Sequence, residues 1–294
     1  MQASIRKPTT ADLSLLILLA LIWASAFLAI KVVVVDTGPL WLATIRVVVA
    51  FIVLLPFAIY KGFVWPSTIR EWKLVMLVMA LNVVIPFFLI SWAETKIDAG
   101  MASMLMGVGP FMALLGSHFT TQDDRISTNK LIGAILGFSG ILVLVGWDAA
   151  KGLGDNLLGQ GAAILGSACY VTSGLIIRRL GRFPPIQLSA FILGLASISL
   201  LTITILFEGI PKTSYQQDTW LGLIYLGIFP TALGYILRYH LIQTIGMSAF
   251  ATGLNLIPVF GVMLGAIFLD EQLTLNVLVS LTLIVTGLFI IRRG

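Results

Sequence analysis

The sequence has few ionisable residues for its length. Lysine and arginine together number 18 and aspartate and glutamate 13, so charged residues make up 11% of the 294-residue chain, against about 25% in an ordinary soluble domain. This number of charged residues is too small to give a globular protein a hydrated surface. The composition therefore excludes a soluble enzyme, a nucleic-acid-binding domain and a disordered chain.

Residues suited to metal and redox chemistry are also scarce. Cys169 is the only cysteine and there are two histidines, which excludes an intramolecular disulfide and a Cys/His metal cluster. The sequence has neither a phosphate-binding Gly-x-x-x-x-Gly-Lys loop nor a His-Glu-x-x-His helix, the usual signatures of ATP hydrolysis and zinc chemistry. We therefore expect no metal, no cofactor and no ATP-driven step. A lipid-modifying enzyme, which would need clustered His, Asp or Glu at one membrane interface, is not expected either.

Apolar residues make up 59% of the chain and fall into long runs. A spanning helix needs about 20 mainly apolar residues. The runs are twice the length of a barrel strand and lack its apolar/polar alternation, so we predict an all-α integral membrane protein with ten transmembrane helices. The predicted spans are Leu13–Val35, Leu40–Ile59, Trp72–Trp92, Ala99–Phe119, Thr128–Gly146, Leu157–Ile177, Ile186–Phe207, Trp220–Leu237, Met247–Leu269 and Leu273–Ile291.

Basic residues are divided unequally between the two sides of this predicted bundle. With the amino terminus inside, thirteen fall on the cytoplasmic side and four on the outer side. The positive-inside rule then places both termini in the cytoplasm of a multi-pass protein of the cell (inner) membrane. The cytoplasmic set is Arg6, Lys7, Lys61, Arg70, Lys73, Arg125, Lys130, Arg178, Arg179, Arg182, Arg238, Arg292 and Arg293, and the outer set is Lys31, Lys96, Lys151 and Lys212.

The two halves of the chain resemble each other. An offset of about 148 residues places Pro110 on Pro258, and the segment 124–127 within a residue or so of 271–274. This predicts a five-helix repeat over residues 1–148 and a second over 149–294. Because five is odd, the second repeat would enter the membrane from the opposite side, as in many secondary transporters. Chance similarity between leucine-rich helices is the alternative interpretation.

Several motifs resemble a known family. The first span contains Leu21-Ile22-Trp23-Ala24-Ser25-Ala26-Phe27-Leu28-Ala29-Ile30-Lys31, followed by Pro39 and Arg46, and the last junction reads Leu269-Asp270-Glu271-Gln272-Leu273-Thr274. These segments are similar to the EamA family of the drug/metabolite transporter superfamily. At the matching junction of the first half, Asp124 replaces the usual Glu, and Cys169-Tyr170 stands where the second half would repeat the early Trp. Within the family, the chain looks like the bacterial exporters of aromatic and other apolar amino acids (YddG type).

Four prolines predict where a substrate would bind. Pro86, Pro110, Pro230 and Pro258 lie near the middle of the third, fourth, eighth and ninth spans. A proline removes its own N–H and frees the carbonyl four residues earlier, here those of Asn82, Met106, Leu226 and Leu254. Irregular backbone at membrane depth is tolerated where it faces protein or a polar cavity, and matching breaks in two halves indicate a transporter site. A kink filled by packing or by a serine hydroxyl is the alternative.

Other side chains at similar depth complete the predicted site. Asn82 is the deepest amide, Asn255 follows the freed Leu254 carbonyl, and Arg46 stands about 9 Å down the second span, where a guanidinium is costly unless it faces a cavity or carbonyl groups. Rings could line the cavity, with Met101 and Met104 as adaptable apolar walls. For each residue, structural packing is the alternative role. The predicted ring residues are Trp23, Phe87, Phe111, Tyr170 and Tyr235.

These features favour a secondary transporter that works by alternating access through a mid-membrane cavity. The spans contain too few polar residues for a channel. A small zwitterion with an apolar side chain suits freed carbonyls, amide and guanidinium donors, and rings, so we expect export of aromatic and other apolar amino acids. Export of lipophilic cations or drugs is the alternative. The expected partners are the substrate and membrane lipid, without nucleic acid, and we expect a monomer, with an oligomer as the alternative.

Every carboxylate falls at or beyond the end of a predicted span. Proton-driven carriers use a titratable group near the midplane, so this distribution predicts movement of substrate down its own gradient. His118 is the one residue that could provide a proton cycle instead.

Overall fold

A computed structural model describes residues 8–62, 64–109, 111–112, 128–145, 155–180, 183–210, 215–254 and 256–293. Over these residues the chain is helical and contains no strand, which confirms the all-α prediction for this part of the protein. Within it, four helical segments are long and apolar enough to cross a membrane, namely Thr10–Lys61, Ile69–Ala93, Pro185–Glu208 and Gln217–Leu241. Three shorter apolar segments are 131–144, 257–268 and 275–290.

The structure describes α-helices in both halves of the chain. In chain order they are α1 (Thr10–Lys61), α2 (Ile69–Met79), α3 (Ile85–Ala93), α4 (Ala99–Met106), α5 (Thr128–Val145), α6 (Asp155–Ile177), α7 (Pro185–Glu208), α8 (Gln217–Leu226), α9 (Gly234–Leu254), α10 (Ile257–Phe268) and α11 (Leu275–Arg293). Two π-helical stretches, Ala80–Val84 and Gly227–Leu233, join α2 to α3 and α8 to α9, and a 3-10 turn, Arg178–Leu180, follows α6.

Helix α1 contains both of the first two predicted spans. It bends at Gly38, whose φ of 71° and ψ of 164° lie outside the helical region. A side chain at this position would be strained, because positive φ strongly favours glycine. Thr37 stabilises the bend by donating its hydroxyl to the carbonyls of Val33 and Gly38, at 3.0 and 3.1 Å. The two arms of α1 therefore join through a single residue.

The two π-helical stretches lie next to the third-span and eighth-span prolines. Ala80–Val84 ends just before Pro86, and Gly227–Leu233 contains Pro230. A π-helical turn inserts one extra residue and relaxes the contact between a proline ring and the preceding turn. The offset of about 148 residues places 80–84 on 228–232, inside the second stretch.

Each helix of the first half that the structure describes in full contacts a helix of the second half. Thr44 and Thr204 share a hydrogen bond of 2.7 Å between α1 and α7. A Cβ on Gly261 of α10 would lie 2.1 Å from the Ser103 hydroxyl of α4, and one on Gly287 of α11 would lie 2.5 Å from the Gly133 carbonyl of α5. The glycines thus permit close helix approach, as small residues do in membrane bundles.

Hydrogen bonds near the helix ends distinguish the two ends of the bundle. At one end, which we call the Glu94 end, Thr219 donates to Asp36 and Lys31 donates to the Glu94 carbonyl. At the opposite end, the Lys61 end, Gln187 donates to the carbonyl of Lys61 at 3.0 Å.

One predicted boundary differs from the structure. Residues 238–246 were expected to connect the eighth and ninth spans, but α9 continues through them to Leu254. This segment contains few of the glycines, prolines and other turn residues that end a helix. Its single glycine, Gly246, does not interrupt the helix.

Candidate functional site

Asn82 lies at the centre of a buried polar cluster. Its side chain is fully buried and sits in the first π-helical stretch. The amide nitrogen donates to the Tyr235 hydroxyl at 3.1 Å, while the amide oxygen accepts from Ser173 at 3.0 Å and from Arg238 at 3.3 Å. One amide thus joins α6 and α9 to the α2–α3 segment.

Arg46 enters the same region from α1. Its guanidinium carbon lies 4.1 Å from the centroid of the Phe87 ring, a cation–π arrangement. Its Nε and Nη2 atoms donate to the Thr231 hydroxyl at 3.3 and 3.1 Å. Arg46 is buried, and among the described residues no carboxylate pairs with it. A buried guanidinium without a counter-ion is costly unless another anion completes the site.

Arg238 was expected beyond the end of the eighth span, on the cytoplasmic side, but the structure places its side chain in the buried cluster. The residue lies in α9, one turn after Tyr235, with 8% of its surface exposed. Its Nη1 donates to Asn82, and its Nε has no hydrogen-bond partner. The reason for the difference is that α9 continues past the predicted end of the eighth span and places Arg238 against the polar cluster.

Three of the four carbonyls freed by prolines accept hydrogen bonds from protein hydroxyls. Tyr235 donates to the Asn82 carbonyl at 2.9 Å, Ser167 to that of Met106 at 3.0 Å and Thr231 to that of Leu226 at 2.7 Å. Each of these three acceptors thereby avoids the cost of an unpaired polar group in an apolar environment. The donors come from α6, the second π-helical stretch and α9.

Aromatic rings surround the polar cluster. The Trp23 indole donates to the carbonyl of Pro230 at 3.0 Å and packs edge-on against Phe250, with 6.3 Å between ring centroids. Tyr170 packs against both large hydrophobic clusters of the protein. Tyr170 and Tyr235 lie close enough to both guanidinium groups to interact with them electrostatically.

The structure separates the predicted site residues into two groups. One group meets at the polar cluster and comprises Trp23, Arg46, Asn82, Pro86, Phe87, Tyr170, Pro230 and Tyr235. Met101 and Pro258 lie elsewhere: Met101 borders a small pocket at the Glu94 end together with Glu271, and the Pro258 ring packs near Gly107. Pro110, Asn255 and His118 lie outside the described residues.

Ser173, Thr231 and Arg238 belong to the cluster but were not predicted. Ser173 follows Tyr170 by three residues and Arg238 follows Tyr235 by three. Residues three apart lie on the same helix face. This spacing from a predicted ring residue is the signal that could have identified Ser173 and Arg238.

Glu94 is the buried acidic residue of the Glu94 end. Only 1% of its surface is exposed, and neither carboxylate oxygen has a hydrogen-bond partner. Burial raises the pKa of this carboxyl well above its ordinary value, with Glu271 also raising it and Lys31 opposing the shift. The sequence placed this residue at a span end but did not indicate that its side chain is buried.

Glu271 caps a helix from the other half of the chain. Its two carboxylate oxygens accept from the backbone N–H groups of Ala99 and Gly100, at 2.7 and 2.8 Å, at the start of α4. A carboxylate is favoured at a helix amino terminus by the free N–H groups and the helix dipole. A Cβ on Gly100 or Gly265 would lie 2.7 or 2.3 Å from Glu271 Oε2, so both glycines make room for this contact.

Comparison with known proteins gives matches along nearly the whole chain. The model of the EamA-like transporter family matches residues 11–146 and again 157–293. A solved crystal structure aligns with a TM-score of 0.69 at 18% identity, covering 97% of this chain and 98% of that one. This last likeness concerns the fold alone.

Curated relatives carry transporter names. The "Uncharacterized transporter YoaV" of Bacillus subtilis is 21% identical over 93% of this chain and 94% of its own. An uncharacterized transporter of Archaeoglobus fulgidus is 27% identical, with 92% and 95% covered. The "Probable terminal-alkyne amino-acid exporter" of Streptantibioticus cattleyicolor is 24% identical, with 95% and 92% covered.

Proposed function

Because the chain belongs to the EamA-like transporter family, we propose that it is a ten-span exporter of small amphipathic metabolites, with aromatic and other apolar amino acids as substrates. It resides in the inner membrane with both termini in the cytoplasm, and it exposes a central site alternately to the two sides. The observation that carries this proposal is the buried cluster of Arg46, Asn82 and Tyr235, which is assembled from both halves of the chain.

Helix contacts support the inverted repeat on which alternating access depends. In the predicted repeat, the second, third, fourth and fifth spans correspond to the seventh, eighth, ninth and tenth. The contacts Thr44–Thr204, Asn82–Tyr235, Ser103–Gly261 and Gly133–Gly287 each join one such pair. Two five-helix units that face each other through equivalent helices can rock about a shared central site.

The two ends of the bundle support the proposed orientation. The Glu94 end contains Lys31 and Lys96, which belong to the sparse outer set of basic residues, and the Lys61 end contains Lys61 and Arg70 from the cytoplasmic set. We assign the Glu94 end to the outside. The Glu271 cap and the Lys31 contacts then close the outer side, whereas the site would open to the cytoplasm to receive its substrate.

The chemistry of the cluster fits an amino acid with an apolar side chain. Guanidinium groups bind carboxylates in a bidentate manner, and the rings of Trp23, Phe87 and Tyr170 provide apolar surface for a side chain. A lipophilic cation, the second candidate, would place its charge beside Arg46 and Arg238. The relative from Streptantibioticus cattleyicolor, named as an amino-acid exporter, adds weight to the first candidate.

Exchange of labelled phenylalanine in proteoliposomes tests this function. Vesicles that contain the wild-type protein and are loaded with unlabelled phenylalanine should take up labelled phenylalanine faster than vesicles with the protein but without internal phenylalanine. Asn82→Ala should reduce this exchange severalfold, whereas Asn129→Ala, which changes an exposed amide on α5, should leave it unchanged. Absence of exchange for phenylalanine, leucine and tryptophan in correctly folded wild-type protein would refute amino-acid export.

A further inference from the structure

Two guanidinium groups share the central cluster, and Glu94 interacts with Arg46 electrostatically without forming an ion pair. Arg46 and Arg238 expose 6% and 8% of their surfaces, and both lie within electrostatic reach of Tyr170 and Tyr235. Among the described residues, neither forms an ion pair. Burial of one unpaired charge is already costly, and two like charges add mutual repulsion. Such an arrangement is stabilised when an anion binds between or beside the two groups.

Both arginines retain unused donors. Arg46 gives its Nε and Nη2 to one hydroxyl, that of Thr231. Arg238 gives only Nη1, through a bond of 3.3 Å, and its buried Nε has no partner. A guanidinium presents five N–H donors in a planar fork that matches the two oxygens of a carboxylate.

Acceptors in the cluster are already occupied. The Asn82 carbonyl accepts from Tyr235, and its amide oxygen accepts from Ser173 and Arg238. The Leu226 carbonyl accepts from Thr231. An ammonium group entering the cluster would therefore compete with existing donors, whereas an anion would find donors without acceptors.

We propose that Arg46 and Arg238 together bind the carboxylate of the substrate, and that this carboxylate is the recognised group. The ligand class is then a monocarboxylate with an aromatic or branched apolar group, and an α-ammonium is not required. This inference rests on the proposed function in that it places the substrate at the cluster shared by the two halves. It goes further, because it includes organic acids that are not amino acids and excludes amines.

Three ligands of matched shape separate these possibilities: phenylalanine, 3-phenylpropanoate, which lacks the ammonium, and phenethylamine, which lacks the carboxylate. Binding to purified protein in detergent is measured as ligand-induced thermal stabilisation. This stabilisation increases with the ratio of the ligand concentration to Kd. We expect the two carboxylates to bind within about tenfold of each other and phenethylamine to bind at least about tenfold more weakly.

Variants assign the effect to Arg238. Arg238→Gln should weaken both carboxylate ligands about tenfold or more, since a charged hydrogen bond is lost. Arg238→Lys, which keeps the charge but not the planar fork, should fold and give a smaller loss of at least about threefold. Arg179→Gln removes an exposed arginine and should bind all three ligands as the wild type does.

The outcomes are distinct from those of the transport experiment. Phenethylamine binding as tight as that of phenylalanine would overturn the proposal, as would wild-type affinity for both carboxylates in Arg238→Gln or, if that variant does not fold, in Arg238→Lys. Tight binding of 3-phenylpropanoate without exchange of phenylalanine would support the carboxylate site and refute amino-acid export. If phenylalanine is exchanged and the Arg238 variants bind both carboxylates with wild-type affinity, only the carboxylate site is refuted.

Discussion

Asn82 and Tyr235 are joined by two hydrogen bonds, one to the side-chain amide of Asn82 and one to its backbone carbonyl. The Asn82 amide nitrogen lies 3.1 Å from the Tyr235 hydroxyl, and that hydroxyl donates at 2.9 Å to the Asn82 backbone carbonyl. The carbonyl needs this donor because Pro86, four residues later, cannot provide a helical N–H. A tyrosine of the second half thus satisfies a backbone acceptor created in the first.

Tyr235→Phe should therefore destabilise the protein. The change leaves the Asn82 carbonyl buried without its hydroxyl donor, which costs about 1–3 kcal/mol. Tyr60→Phe is the matched control, because Tyr60 is 90% exposed. Denaturant or thermal unfolding in detergent, followed by circular dichroism, measures the difference. Equal stability of the two variants would show that another donor replaces the hydroxyl.

Gly234→Ala should disturb the contact between Trp23 and Pro230. A Cβ at Gly234 would lie 2.5 Å from the Trp23 indole nitrogen, which donates to the Pro230 carbonyl. Such overpacking typically costs about 1–3 kcal/mol, partly offset by the roughly 1 kcal/mol gain in helix propensity.

The control for Gly234→Ala is Gly161→Ala, since a Cβ at Gly161 would meet nothing within 4 Å. Both variants are compared by melting temperature and by phenylalanine exchange. We expect a lower melting temperature and slower exchange for Gly234→Ala alone. A loss of the same size in Gly161→Ala would show that the effect does not come from the contact with Trp23.

Glu271→Gln should loosen the contact at the Glu94 end. The carboxylate caps two N–H groups of α4, and an amide keeps one acceptor but loses the charge. Charge at a helix amino terminus contributes about 0.3–2 kcal/mol. A single cysteine at Met101, next to Glu271, in a Cys169→Ala background should then react faster with an impermeant thiol reagent. Asp218→Asn, which alters an exposed carboxylate, should leave the reaction rate unchanged.

The closed Glu94 end should become less stable as the pH rises. Burial raises the pKa of Glu94 in the closed form above the ordinary value of 4.5, so the closed form holds a proton that the open form releases. Closure is therefore favoured at low pH and weakens progressively above about pH 4.5 until the raised pKa is passed. The groups that interact with this carboxyl are Lys31, Arg46 and Glu271.

Thiol labelling at Met101→Cys measures this pH dependence. Dividing each rate by that of the Glu94→Gln variant at the same pH removes the titration of the cysteine itself. The ratio should rise with pH, because Glu94→Gln cannot acquire a charge. A ratio that is constant between pH 5 and 9 would contradict proton-linked closure.

Single cysteines on opposite ends test the topology. Ser67 and Gln216 are both exposed, the first beside α2 at the Lys61 end and the second at the start of α8. In a Cys169→Ala background in cells, Ser67→Cys should react only after the membrane is permeabilised, and Gln216→Cys should react from outside. Labelling of both from the same side would exclude the proposed inverted repeat.

The sequence predicted the centre of the site better than its edges. Proline chemistry is local, so the positions of Pro86 and Pro230 were sufficient to indicate irregular helices: Pro86 follows one π-helical stretch and Pro230 lies inside the other. Asn82 followed from its depth within one span. The apolar character of the chain decreases after Leu237, which did not indicate that α9 continues to Leu254. Arg238 was therefore assigned to a loop.

The burial of Glu94 shows why packing between residues that are distant in the sequence cannot be predicted from local patterns. Its place after a predicted span gave no sign of burial. Lys31 of α1 and Glu271 of the α10–α11 turn, which interact with it electrostatically, come from distant positions in the sequence. The burial of a span-end residue depends on which turns fold over it, and no local pattern encodes that choice.

The bend at Gly38 also has a consequence for how the protein enters the membrane. Because one residue joins the two arms of α1, no loop separates the two membrane crossings that we propose for this helix, and neither arm can be placed without fixing the start of the other. We expect the ribosome-bound chain to deliver them to the insertion machinery as one helical hairpin, so that a bulky residue at position 38 would impair biogenesis before it affected transport.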